Sequence, residues 1–411
     1  MTAPHSRVRA TRRSRLTLPV YAYAFFEEFI LLYPIYALLF AEHGLSVAHI
    51  SVLFVVWSST SVLLTVPAGA LADLVPRRYL LAVAPLLTGT AFALWSLFPS
   101  LWVFALGFVL WGAAGALVSG AFEALVYTEL EHRSAASDYA RVMGVTRALG
   151  VAAVGLATLA AVPAMSHGGY ALIGVASVAA CVLCALSALA LPEHRAPRDQ
   201  GSDDEPGYRE TLSRGLSEAR HNRAVRLALL LVVLVSAFWG ALDEYVPLLA
   251  LDSGVPATTV PLVVLIVWVG VTLGGLLAGP ASRLPGRVLA VLMALASVAI
   301  AAGALLAGYP GWVLLGLGFG VCQMMMVVAD ARLQDTITGA SRATVTSLSD
   351  LGVESLGITT FLVYAAVFTA LGHSAAFALF AAPHLLAALL LARRGDRDAP
   401  RDRHREDAAV H

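Results

Sequence analysis

The sequence predicts an all-α membrane protein, with twelve transmembrane helices in two six-helix, pseudo-symmetric bundles. Three observations carry this. The 411 residues are 59% hydrophobic and 13% charged, against about 45–50% and about 25% in soluble domains, and mean hydropathy is +0.78. Twelve mostly apolar runs are each long enough to cross a bilayer, which takes about 20 residues at about 1.5 Å per residue. The arginines alternate from loop to loop in a pattern that a different number of spans would scramble.

In order, the runs cover residues 19–41, 47–72, 79–98, 101–127, 141–163 and 169–191, then 225–251, 258–282, 288–307, 312–334, 342–370 and 374–392. The segment 1–18 carries Arg7, Arg9, Arg12, Arg13 and Arg15 and leads into the first run. That run is longer than a signal-peptide core, contains Glu27 and Glu28, and lacks a small-x-small cleavage site. It therefore reads as a retained helix, loosened by Pro34. Pro99-Ser100 joins the third and fourth runs, and Gly308-Tyr309-Pro310-Gly311 joins the ninth and tenth. Links this tight favour antiparallel helical neighbours. The runs are too long and too uniformly apolar for barrel strands.

After the sixth run comes a hydrophilic linker, 192–224, with Asp203-Asp204-Glu205 and an Arg-rich portion. It separates an N-terminal bundle, 19–191, from a C-terminal bundle, 225–392. The polar tail, 393–411, has the composition of a disordered segment.

All 27 basic residues are Arg. They lie in the N-terminal segment, the even-numbered loops and the tail, or at the run ends that border them, with Arg147 one or two turns inside the fifth run; the odd-numbered loops have none. The positive-inside rule then puts both termini in the cytoplasm of a cell whose cytoplasmic membrane the chain spans. Formal net charge is zero, which gives no pull toward nucleic acid. Cys181, Cys184 and Cys322 sit in apolar runs without His or acidic neighbours and read as packing residues. No metal or cofactor is expected.

The two halves echo each other. Gly69-Ala-Leu-Ala-Asp73-Leu-Val-Pro-Arg77-Arg78 follows the second run, and Gly279-Pro-Ala-Ser-Arg283-Leu-Pro-Gly-Arg287 follows the eighth, 210 residues on. Gly44 and Gly254 share that offset. The first segment resembles the loop motif of the major facilitator superfamily, G-x-L-A-D-x-x-G-R-[RK], with Pro76 in place of its last glycine. Ser119-Gly-Ala-Phe-Glu123, Asp138-Tyr-Ala-Arg141 and Arg342-Ala-Thr-Val-Thr-Ser347 are similar to segments of bacterial members.

The resemblance implies alternating access by rocking of the two bundles. It gives Asp73 and Arg77 a latching role on the cytoplasmic side, with Gly69, Arg78, Arg283 and Arg287 as the rest of the motif and its echo. It also implies that runs one, four, seven and ten line a cavity. The fourth run has no Arg and the fifth no Gly-Pro, the signatures of drug/proton antiporters in that superfamily.

Ionisable groups at bilayer depth cost at least about 2.5–3.5 kcal/mol each, so they are functional candidates by default. Glu27 and Glu28, 100° apart on a helix, point one to the cavity and one to a neighbour, with Tyr23 one turn before Glu27. Either they handle protons, or both pair with arginines near the cytoplasmic end. Asp243 and Glu244, after Trp239, either bind a cation or polar solute or mark the water interface. Gln323 and Asp330 share a helix face; Met324-Met325-Met326 reads as packing. Glu354 lies near mid-depth, one turn after Asp350. Glu123 and Arg147 are expected to pair. The candidates for solute or proton handling are Tyr23, Glu27, Trp111, Trp239, Asp243 and Gln323, with Glu28, Glu244 and Glu354 beside them.

The function expected is secondary active transport of a small solute, proton-coupled and outward, by a monomer in the lipid bilayer. The alternatives are a metabolite importer or facilitator of the same fold, a non-transporting membrane sensor, and a membrane-embedded enzyme. The last would need a His/Asp or Ser/His constellation that the runs do not offer; no enzyme is expected. No P-loop pattern is present, so ATP is not expected to drive transport.

Overall fold

The structure is a computed structural model that describes residues 5–194, 217, 220–306, 308–337 and 342–395. Most of the linker and of the tail lies outside these residues. So do the side chains of Asp73 and Arg342. The regular elements among the described residues are all helices: α1 (His5–Glu28), α2 (Tyr36–Glu42), α3 (Val47–Leu74), α4 (Arg77–Leu97), α5 (Leu101–Val118), α6 (Ala121–His132), a 3-10 turn (Ala136–Asp138), α7 (Tyr139–Leu189), α8 (Arg223–Asp243), α9 (Val246–Asp252), α10 (Val260–Ala281), α11 (Gly286–Leu306), α12 (Gly308–Thr336), α13 (Arg342–Ala381) and α14 (Pro383–Gly395).

Nine continuous helical stretches of the described residues are long and apolar enough to cross a membrane. Two of them are double. Gly169 (φ 57°) interrupts α7 and Gly372 (φ 77°) interrupts α13 with non-helical backbone, so each is two spans joined without a loop. Glycine is what permits these left-handed φ values. Splitting both and adding the broken first span, α1 with α2, gives the twelve spans read from the sequence. The chain is a multi-pass membrane protein.

Local chemistry sets the boundaries. Ser46 caps α3 in a reciprocal capping box with His49, Ser100 caps α5 through the Val103 amide, and Asn222 caps α8 through the amides of Ala224 and Val225. Gly120 (φ 72°) turns the chain between α5 and α6 and breaks the fourth span.

The internal repeat is visible in the backbone. The short helices α2 and α9 begin and end 210 residues apart. Each is closed by a left-handed glycine, Gly44 (φ 81°) and Gly254 (φ 84°). The next amide reaches back five residues, Leu45 to the Phe40 carbonyl and Val255 to the Ala250 carbonyl, both at 3.1 Å. This is the glycine C-cap geometry, made twice around a glycine at the same place in each half.

The chain packs as two compact units. The first comprises 1–204 with 246–265 and 361–366; the second comprises 205–245, 266–360 and 367–411. In the first, α7 packs on α1 and α4, α5 packs on α3 and α4, and α9 meets α2. Its core joins Leu16, Val20, Tyr23, Leu81, Phe122, Leu125, Val126 and Cys184. In the second, α11 packs on α12 and α14, and α8 packs on α12 and α14. There Gly270 and Gly274 of α10 meet the backbones of Gly316 and Gly320 of α12 so closely that a Cβ on either would overlap a carbonyl. Small residues allow this approach, which is how helices gain packing where lipid removes the hydrophobic drive between them. On the outside, Leu63, Val66, Leu276 and many other large apolar side chains are exposed, as a lipid-facing surface requires.

Candidate functional site

The site begins where the first span stops being helical. α1 ends at Glu28, and residues 29–35, with Pro34 among them, follow as turns before α2. Pro34 has no N–H to give an α-helical ladder. The amide of Leu32, freed by the break, donates to Ser177 Oγ at 3.1 Å, and that hydroxyl donates to the Ile173 carbonyl at 2.8 Å. The broken segment is thus held by α7. Unwound backbone at membrane depth persists only where protein or a polar cavity satisfies it, and broken spans of this kind mark binding sites in transporter folds.

A cavity of about 340 Å³ opens beside the break. α1 contributes Tyr23, Phe26 and Glu27, and the break contributes Tyr33. α4 contributes Ala84, Pro85 and Thr88. The kinked fourth span contributes residues between Trp111 and Gly120 and then Glu123, and α7 contributes Cys181 and Cys184. The Tyr23 hydroxyl donates to Glu27 Oε1 at 3.4 Å. Tyr23 is itself fixed by stacking on Phe122 (5.0 Å, 20°) and by the Cys184 thiol donating to its carbonyl at 3.6 Å. Glu123 lies in the first turn of α6, where free amides favour a carboxylate.

The aromatic wall is built in layers. Tyr33 stacks on Trp111 (5.4 Å, 10°), and Trp57 stacks on Trp111 (4.9 Å, 23°). Behind them Tyr36, Phe40, Trp95, Phe104 and Phe108 form a connected ring cluster. Trp95 donates its indole N–H to the Phe104 carbonyl at 3.2 Å. Each ring pair contributes roughly 0.5–1.5 kcal/mol beyond its buried area, so the wall is stiff.

Glu28 does not line the cavity. It faces the fifth span instead, where a Cβ on Gly150 would meet its Cγ at 3.3 Å. The described ion pairs include neither Glu27 nor Glu28: they are Arg133–Glu129 and His194–Glu129. Glu123 and Arg147 do not form the expected pair. Both are exposed, and Tyr139 lies within electrostatic reach of each.

The remaining candidates lie in the second unit. Asp243 and Glu244 close α8 just before the chain breaks into α9, so an acidic pair precedes the break in the first span of both halves. Trp239 packs edge-on to Phe319 (6.0 Å), and its buried indole N–H finds no acceptor among the described residues. Gln323 lies close to Gly275. Glu354 is half-buried on α13.

At the motif, Gly69 lies near the end of α3 and is open. The Arg77 and Arg78 amides, the first two of α4, donate to the two carboxylate oxygens of Glu193 at 2.8 and 3.1 Å. The Arg78 side chain folds over Tyr79 (4.9 Å to the ring centroid). Next to Glu193, His194 engages the buried Glu129 twice: its amide donates to Oε1, and its ring Nδ1 lies 3.0 Å from both oxygens. Its ring also stacks on His132 at 4.2 Å. Arg283 and Arg287 are exposed. Sequence reasoning missed Tyr33, Ser177, Glu129, Glu193 and His194. Only Tyr33 had a local signal, its place beside Pro34. Among the described residues no group of three or more His, Cys, Asp or Glu side chains is placed to hold a metal.

Residues 17–349 match the family described as Major Facilitator Superfamily. No curated protein matches the chain. Among solved structures, a mutant of the nucleoside transporter NupG superposes with a TM-score of 0.75 at 14% identity, covering 91% of this chain and 98% of that one. A D-xylose–proton symporter gives 0.65 at 15% identity, covering 92% and 96%. A bacterial homologue of the human lysosomal transporter Spinster, inward-facing and unoccupied, gives 0.65 at 15% identity, covering 96% of both chains.

Proposed function

The chain belongs to the Major Facilitator Superfamily, and from that premise we propose that it exports a small solute across the cytoplasmic membrane in exchange for protons. The observation that supports this most is Glu27. It lines a cavity beside a broken helix, accepts a hydrogen bond from Tyr23, and has no basic partner among the described residues. A carboxylate away from water needs a proton or a cation to compensate it. A site that must alternate between the two couples their movements. In alternating access the two six-helix bundles, 19–191 and 225–392, rock about the solute, and the Asp73 and Arg77 charges latch the cytoplasmic end. The arginine distribution supports cytoplasmic termini. On that orientation a membrane-impermeant thiol reagent reaches Ser100→Cys in intact cells and Ser282→Cys only in everted vesicles; the reverse pattern would overturn it.

The function itself is tested in everted membrane vesicles with a panel of labelled solutes. Energised vesicles containing the chain accumulate a solute that control vesicles do not, and a protonophore abolishes the accumulation. Accumulation that survives the protonophore would contradict proton coupling. Equilibration without accumulation would make the chain a facilitator.

A further inference from the structure

We propose that the cavity of the first unit accepts an organic cation, an amine or quaternary ammonium with an apolar or aromatic body. This rests on the transport reading and names its substrate class. Among the described residues, the only charged side chains lining the cavity are Glu27 and Glu123, and no Arg or His lines it. An anion would be repelled by both carboxylates. A polyol would need many donors and acceptors, and the lining offers few hydroxyls, those of Tyr23, Tyr33, Thr88 and Ser119. A cation is attracted by the carboxylates and by electron-rich rings, which bind ammonium groups through their quadrupole. Phe26, Tyr33 and Trp111 supply those rings.

Trp111 is fixed between its stacked neighbours, so little order remains to be lost on binding. A volume of about 340 Å³ sits at the small end of the roughly 300–1,000 Å³ range of ligand sites, which suits one ring and one ammonium group. A proton and an ammonium cannot both neutralise Glu27, so the two compete. The balance is simple: the cation enters as the proton leaves the carboxylate, and no covalent bond forms.

Equilibrium dialysis of radiolabelled benzyltrimethylammonium against the purified full chain in detergent tests this. The probe carries a permanent charge, so its own ionisation cannot change with pH. Binding is expected to tighten as pH rises, because protons compete with the probe for the carboxylates. Benzyl alcohol and benzenesulfonate are expected not to compete. Glu27→Gln is expected to weaken binding by about 10- to 100-fold, the scale of a lost charge-assisted contact, and to flatten the pH dependence. Glu123→Gln is expected to weaken it less.

Competition by benzyl alcohol or benzenesulfonate at equal strength would overturn the inference. So would affinity within about twofold of wild type in Glu27→Gln. If Glu27→Gln does not fold, the wild-type pH series and Glu123→Gln decide. Glu27-dependent binding without flux in vesicles would uphold the substrate class and sink the transport reading. Proton-driven flux of an anion or a sugar, with no binding of the probe, would do the reverse.

Discussion

Glu129 and Glu27 show two ways a carboxylate is tolerated in an apolar helix bundle. Glu129 is 1% exposed and is fully engaged: Arg133 donates at 3.4 Å and His194 brings its amide and its ring. Glu27 has one hydroxyl and a cavity. The first arrangement is structural and the second leaves room for a proton or cation. Glu129→Ala should therefore lower stability by about 1 kcal/mol, the usual net worth of the hydrogen bonds it loses, and release the chain after residue 191 from the end of α6. Thermal unfolding in detergent reads the first effect, and proteolysis in the linker reads the second. Unchanged values for both would contradict the assignment. Glu27, Tyr23 and Trp111 were legible in the sequence because charged and aromatic side chains stand out in apolar runs, whereas Glu123 was read there as half of an ion pair and not as a cavity residue. Glu129, Glu193 and His194 were not legible, because they lie among ordinary polar residues outside the apolar runs and gain meaning only from contacts more than sixty positions apart. The Glu123–Arg147 expectation failed for the complementary reason: opposite charges at similar depth are not neighbours unless their helix faces meet.

At the level of elements, glycine decides where spans break and where they touch. Gly169 and Gly372 join spans with no loop, so the loop punctuation used to place boundaries at 163–169 and 370–374 becomes a single non-helical glycine between two helices. The breaks after Glu28 and after Glu244 were not placed from the sequence. An apolar run looks continuous whether its backbone is helical or not, and only Pro34 hinted at the first. The Gly44 and Gly254 caps, by contrast, were legible as a repeat because each needs a left-handed backbone at the same place in its half. Helix contact gives a sharper test. A methyl at Gly274 would strike the Gly320 carbonyl, whereas one at Gly279, on the same helix, meets nothing within 4 Å. Gly274→Ala should therefore cost about 1–3 kcal/mol, the usual scale of overpacking, and Gly279→Ala close to nothing. Equal melting temperatures for the two variants would contradict the close approach of α10 and α12.

For the whole molecule, the long apolar spans and the lipid-facing surface were written into composition, because the bilayer imposes its thickness on every span, and the family was written into the Gly69–Arg78 motif. The surface agrees in detail. Trp102 and Tyr309, 81% and 80% exposed, stand beside the two shortest links, where amphipathic rings anchor spans at the membrane boundary. The solute was not legible in the sequence, since it depends on which side chains converge on one cavity. That convergence puts Glu27 at the centre of the proposed mechanism, in which it alternates between a proton and the solute. The most direct measurement is proton movement in proteoliposomes carrying a pH-sensitive dye, with an organic cation supplied on one side and no pH gradient imposed. Wild-type protein is expected to move protons against the cation as it crosses, and Glu27→Gln to move none while still exchanging cation for cation. Proton movement undiminished in Glu27→Gln would contradict the account.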